Sequence, residues 1–319
     1  MDIPPALVIS EISEPLPSSE LEWKTAGSQE WLKCHKQQAP RVSLTETLDA
    51  LFSPDSFWTP PSNAFANLIV LHALLQRIWL LRQDRWSNCN SIQFLILSYA
   101  LDKLELASIS KAESTLSLHS EGAPQAYSLN ALVRLARVYL CSDLEHLRPA
   151  FTVAEGVPLS GNADVIDRSS ASTRAASIAM DALRIAFKFG WTSNSGCGSL
   201  QYFFSSLQCG KYARLARNLP SSTHYGQHGL MVFTVFYLSK WLRTLESTPH
   251  SGWTEDEKQV MALIESMVSE FDLPKTIQRQ PLSSKVAYTS AIVFEGVGTW
   301  GVVENVSSYI KKYAAYMAR

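Results

Sequence analysis

Between residues 62 and 85 the apolar side chains do not settle onto one face. Phe65, Leu68, Ile69, His72, Leu75, Trp79 and Arg82 step by three or four, the spacing that aligns one side of an α-helix. Most residues between them are apolar too, so the pattern predicts a central helix from Ser62 to about Arg85. Ile92 to Leu106 continues in the same manner. Ala126 to Leu140 sets Leu129, Leu132, Val133, Ala136 and Tyr139 on one side and Arg134 and Arg137 on the other. Helices are also expected over the alanine-rich residues 169–189, over 200–217 and 225–246, over 284–294, and over 302–317.

Two starts are marked by chemistry as well as by period. Ser43 with Glu46, and Thr254 with Glu257, have the spacing of a capping box, in which each side chain satisfies the other residue's orphan N–H. The first opens a helix through Leu44, Leu48 and Leu51 that Pro54 stops. The second has Glu255 and Asp256 in its positive first turn and runs to about Phe271, with Pro274 beyond. PDSFWTPPS, SKAESTLSLHSEGAP, residues 152–168 and WTSNSGCGS read as loops or linkers. No stretch alternates apolar and polar residues as a half-buried strand would. The expected fold is all-α, an irregular bundle of roughly nine to eleven helices. An extended arm with a short helix occupies residues 1–42, and the helical domain occupies 43–319.

The arm carries Pro4, Pro5, Pro15 and Pro17, which favour extended backbone. Its first 22 residues hold Asp2, Glu11, Glu14, Glu20 and Glu22 and no basic residue. Within it, SELEWKTAGSQEW sets Trp23 and Trp31 eight apart among polar neighbours. Tryptophan is normally kept largely out of water. The two indoles are therefore expected to act as anchors that pin the arm to the helical body. Ser28 caps the short helix carrying Trp31 and Leu32, and Pro40 ends it.

Composition narrows the function classes. The 319 residues are 46% hydrophobic, ample for a core, and the formal net charge is -1. No basic excess or Lys/Arg run is present, so direct contact with nucleic acid is not expected from this chain. Five cysteines, Cys34, Cys89, Cys141, Cys197 and Cys209, are scattered without a CxxC. That is neither a disulfide framework nor a zinc ribbon, and it suits a reducing compartment. MDIPPALVIS is unlike a secretory leader. The most apolar runs, of about ten to twelve residues, fall short of the roughly 18–20 that a membrane span needs.

No catalytic motif emerges. Gly296-Val297-Gly298-Thr299-Trp300-Gly301 spells GxGxxG, but the dinucleotide fingerprint must follow a strand and have an acidic residue about 20 positions on. Here it reads as a break between helices. His224 and His228 could share a helix face, yet two ligands alone make no metal site. Cys197 lies before a helix start, with no histidine near it in sequence. Asp102 and Glu105 form an acidic pair that reads as a solvated edge. GxSxG, Walker and clustered-carboxylate signatures are missing from the sequence.

One resemblance organises these observations. PLPSSELEWKTAGSQEWLK, with its acidic, proline-bearing lead Asp2 to Pro17, resembles a segment of fungal zinc-finger transcription factors. It lies in the second half of their large helical regulatory domain, the fungal-specific or middle homology region. SLTETLDALF with FANLIVLHALLQRIWLLRQ is similar to the same family. So is FEGVGTWGVVENVSSYIKKYA, whose turn at Trp300 and Gly301 and closing helix resemble the family's end. The resemblance implies a non-catalytic regulatory domain acting in the nucleus, with Trp23, Trp31, Trp300 and Gly301 as structural anchors. It implies zinc and DNA binding only for a separate module of the parent family, and no cofactor here. It further implies that this chain is the C-terminal part of such a factor, missing the helices that normally precede it. Apolar surface left uncovered would then promote self-association or binding of a protein partner, with a small-molecule effector as a further ligand. The rival expectation is a helical enzyme or small-molecule-binding protein with an apolar cavity.

Overall fold

The computed structural model describes residues 9–12, 14–37, 41–54, 58–61, 63–83, 90–113, 123–142, 166–189, 226–295 and 301–318. The fold is all-helical. The described residues hold twelve α-helices, ten of them of nine residues or more, and two 3-10 turns. The only pairing of extended backbone among them is a single antiparallel bridge between Pro15 and Ser43. The helices are α1 (Glu20–Trp23), α2 (Ser28–Gln37), α3 (Leu44–Phe52), α4 (Ala64–Gln83), α5 (Asn90–Glu113) and α6 (Ala123–Cys141). They continue as α7 (Ser170–Phe189), α8 (Gly226–Glu246), α9 (Glu255–Ser269), α10 (Lys275–Gln278), α11 (Leu282–Glu295) and α12 (Gly301–Met317).

The count exceeds the nine to eleven expected because α1 and α10 are single turns of four residues, too short to display a period. Helix α5 also runs seven residues beyond Leu106, into a stretch expected to be linker. Ser, Lys, Ala and Glu are all compatible with helix, so polarity alone does not end one. The helix expected over 200–217 lies outside the described residues.

By its own contacts the chain divides into two compact units at residues 136/137, inside α6. In the first unit α3, α4 and α5 pack on one another. Leu44, Leu48 and Leu51 of α3 meet a core formed by Leu68, Leu71, Leu74 and Ile78 of α4 and Leu101 and Leu104 of α5, all at most 2% exposed. The Arg77 guanidinium lies 4.5 Å over the Phe52 ring, adding a cation–π contact between α4 and α3. Asn63 begins α4 by accepting the Phe65 N–H at 2.8 Å, as an N-cap side chain does. The window Phe65–Arg82 has mean hydropathy 1.2 and is long and apolar enough to cross a membrane. Gln76 and Arg77 interrupt the apolar run and make it look shorter than that in sequence. In this fold 44% of that window is buried, with Phe65 and Leu80 exposed.

The described part of the arm belongs to this first unit. The Leu16 N–H donates to the Val42 carbonyl at 3.0 Å, and the Ile9 N–H donates to Gln76 Oε1 at 3.2 Å. The Asn63 side-chain amide donates to the Ser18 carbonyl, and Leu16 is buried.

The second unit is built around α8, which packs against α7, α11 and α12, while α11 and α12 run along one another. Every residue from Phe233 to Leu242 is buried. Phe236 meets the Tyr313 ring edge-on at 4.4 Å and the Tyr309 ring at 5.5 Å. The Tyr237 hydroxyl donates to the Ser172 carbonyl at 3.1 Å. Hydroxyls also join α11 to α12: Ser284 donates to the Ala314 carbonyl at 2.8 Å, and Ser307 to the Ala291 carbonyl at 3.0 Å. Glu246, closing α8, accepts from the Ser283 N–H at 3.0 Å and hydroxyl at 2.7 Å, placing a carboxylate at the positive start of α11.

Both expected capping boxes form, at Ser43 with Glu46 and at Thr254 with Glu257. Replacing Thr254 with Ala should cost about 1 kcal/mol, the usual worth of such a cap, with most of it recovered by Ser. Phe236→Ala should cost about 3–5 kcal/mol through lost burial and the cavity left between the tyrosines. Denaturant titration followed by tyrosine near-UV dichroism checks both, and an unchanged midpoint for Phe236→Ala would mean that α8 is not central.

Candidate functional site

The residues around Trp23 and Trp31 form a small structure organised by one carboxylate. The single turn α1 ends at Trp23, and the Thr25 hydroxyl donates back to the Glu22 carbonyl at 2.7 Å. The Trp31 N–H then donates to the Gly27 carbonyl at 2.9 Å as α2 begins. Glu22 points inward, its side chain 1% exposed. It accepts from His35 Nδ1 at 2.9 Å and from Arg41 Nη2 at 3.0 Å. The hydrogen bond from His35 is the largest influence holding its carboxyl below the usual carboxylate range; Ser18 and Arg41 add to it, and burial opposes them. One group thus ties together α1, α2 and residue 41.

The indoles are not buried by this arrangement. Trp23 is 75% exposed and Trp31 38% exposed, and α2 has no buried residue. Trp31 stacks on His35, with centroids 4.8 Å apart and planes 8° apart. Both indoles flank an open cleft of about 510 Å³ that Ser18, Glu22 and Arg41 also line. The expected burial of the indoles against the helical body therefore does not occur. The arm is held to the helical body by the Ile9–Gln76 and Ser18–Asn63 hydrogen bonds, the Pro15–Ser43 bridge and the burial of Leu16; Glu22 ties the arm to itself, and the indoles face the cleft.

The other anchors expected from sequence are at the far end of the chain. Trp300 lies outside the described residues, and Gly301 opens α12. Residues 296–300 of the GxGxxG stretch also lie outside them, but the element before it, α11, is a helix and not the strand a dinucleotide fingerprint needs. His224 and Cys197 are outside the described residues as well, and His228 stands on α8. Asp102 is exposed and Glu105 half-buried on α5. Burial pushes the His72 imidazole below its ordinary range. Neither Cys34 nor Cys141 is in a disulfide. Among the described residues no group of three or more His, Cys, Asp or Glu side chains could hold a metal ion.

The second unit has its own buried carboxylate. Glu257 completes the capping box of α9 and also receives Arg168 in a two-pronged pair, Nε to Oε1 at 3.0 Å and Nη2 to Oε2 at 2.6 Å. Arg168 Nη2 also donates to the Gly252 carbonyl at 2.7 Å. The Arg168 hydrogen bond is the main reason that the Glu257 carboxyl is held below its ordinary range. Deeper in this unit, Ser239 Oγ, Trp241 Nε1 and Thr289 Oγ1 are buried with no hydrogen-bond partner. These are hydroxyls and an indole N–H, with no acid, base and nucleophile gathered among them.

Residues 217–312 match the model of the fungal transcription factor C-terminal domain. The match covers less than a third of the chain, and in the structure it takes in α8 to α11 and most of α12. No curated protein and no solved structure matches the chain.

Sequence reasoning did not single out Glu22 or Arg168. Glu22 is one of five acidic residues among the first 22, and its partners lie 13 and 19 positions away. Glu257 was marked by its cap spacing, but nothing in the sequence marks its pairing with Arg168.

Glu22 generates a prediction about acid. Because its folded-state pKa is lowered, its contribution is complete above the ordinary carboxylate range and is lost as pH falls through the lowered value. Proteolysis within residues 18–41 should therefore accelerate on acidification. Glu22→Gln should raise cleavage at neutral pH and flatten the acid dependence. Equal cleavage of variant and parent across that range would show that the carboxylate holds nothing.

Proposed function

We propose that the chain is a non-catalytic helical regulatory domain of a fungal transcription factor, acting in the nucleus through protein contacts. The match of residues 217–312 to the fungal transcription factor C-terminal domain carries this reading. It coincides with a run of packed helices, α8 to α12, so the similarity falls on a structural unit and not on a loop. The resemblance of the arm, of α4 and of the turn at Trp300 and Gly301 extends the same reading over the remaining chain, to a zinc-finger factor whose DNA-binding module is separate. The near-neutral charge supports contacts with protein over contacts with nucleic acid.

The experiment is a fusion of the whole chain to an unrelated DNA-binding module in a fungal reporter strain. The fusion should change reporter output severalfold over the module alone, and removing residues 217–312 should abolish the change. A fusion that is stable and nuclear yet leaves the reporter untouched would overturn the reading.

A further inference from the structure

The walls of the cleft between Trp23 and Trp31 are held in place by a group that scarcely reaches its opening. The Glu22 side chain is 1% exposed. His35 Nδ1 and Arg41 Nη2 take its two oxygens, at 2.9 and 3.0 Å, and Ser18 adds a further hydrogen bond. His35 in turn fixes Trp31 by stacking on it, and the Thr25 hydroxyl closes the turn after Trp23 on the Glu22 carbonyl. Arg41 is held through Nη2, while its side chain stays 39% exposed. Walls fixed in advance spare a ligand much of the ordering that binding otherwise requires.

We propose that this cleft binds an aromatic carboxylate, a flat ring carrying one acidic group. Charge selects the class. Of the residues that line the cleft, Glu22 and Arg41 are the charged ones. Both oxygens of Glu22 are occupied, so a cationic ligand would find no free carboxylate and would meet the guanidinium instead. A ligand carboxylate can take the N–H groups of Arg41 that Glu22 does not use, and the planar guanidinium fork suits two oxygens at once. The indoles account for the ring. Trp31 gives one face to His35 and keeps the other, and Trp23 is 75% exposed. Offset-stacked and edge-on contacts with such rings favour a planar aromatic body.

The size agrees. The cleft encloses about 510 Å³, within the range of about 300–1,000 Å³ typical of small-molecule sites. It is open, so a ligand held by one ion pair and two rings keeps part of its surface in water, and binding is weak. Gly27 stands in the wall, between the two indoles in sequence. A Cβ added there would meet nothing within 4 Å, so a larger side chain at this position enters empty space without disturbing the Glu22 contacts.

Binding is tested on the purified full chain without DNA or a reporter, so the site and the transcriptional reading can fail separately. Fluorine NMR follows three probes that share one ring and differ in charge: 4-fluorocinnamate, its neutral amide and 4-fluorocinnamylamine. The carboxylate should broaden at up to millimolar concentration, and the amide and the amine should bind at least about tenfold more weakly, since a charge-assisted hydrogen bond is lost. Gly27→Leu and Trp23→Ala leave the side chains around Glu22 in place. Each should weaken carboxylate binding severalfold, with proteolysis within residues 18–41 unchanged. Arg41→Gln should remove the preference for carboxylate over amide. A carboxylate that does not bind, including one ignored by a cleft that takes a proline-rich peptide instead, overturns the proposal. So do equal binding of the three probes, a preference for the amine, a carboxylate preference that survives Arg41→Gln, or binding indifferent to both Gly27→Leu and Trp23→Ala.

Discussion

Ten consecutive residues of α8, Phe233 to Leu242, are buried, and a helix buried on all sides must be enclosed by other helices. The backbone of such a helix satisfies its own polar groups, so the constraint passes to the side chains. Some of the polar ones turn to nearby carbonyls, while Ser239 Oγ and Trp241 Nε1 have no hydrogen-bond partner. Thr244 donates to the Lys240 carbonyl at 3.0 Å and accepts the Ile166 N–H at 3.0 Å, and the Tyr237 hydroxyl reaches α7. The surrounding helices respond in kind, with serine hydroxyls of α11 and α12 donating across their shared seam. Small residues there let the helices approach closely, and their hydroxyls avoid the desolvation cost that unpaired polar groups would carry.

The same logic explains where charge is permitted inside. Glu22 and Glu257 are both buried, and each is met by an arginine and by a second set of donors. A buried carboxylate lacking those partners would instead take up a proton or expel itself to water. Each also closes a loop in the chain, Glu22 over residues 18–41 and Glu257 between residue 168 and the start of α9. In both units a carboxylate does locally what a disulfide would do in a secreted protein, which suits a chain with few and scattered cysteines.

How much of this the sequence disclosed depended on the range of the interaction. Capping boxes span four residues and were legible at Ser43 and Thr254. Helical period over two or more turns revealed α4, α7, α8 and α12 to within a few residues. Single turns such as α1 carry too few positions to show a period. Pairings between distant residues left no trace: nothing in a run of acidic residues says that Glu22, and not Glu20, turns inward to meet His35 and Arg41. Trp23 and Trp31 illustrate the same limit from the other side. Their size suggested burial, but exposure depends on what lies opposite, and there the chain leaves an open cleft. Helix α5 looked like α4 in its apolar content, and only the packing showed that one of its faces is buried and another bare.

Lys240 lies within the enclosed stretch of α8 with no exposed surface. Its amine is therefore beyond the reach of acylating reagents, and of any enzyme that modifies lysines, as long as the second unit stays closed. Whereas surface lysines would react at once, Lys240 can react only during openings that expose α8. Its rate of acylation is thus a direct clock for the breathing of the second unit, built into the sequence with no added probe.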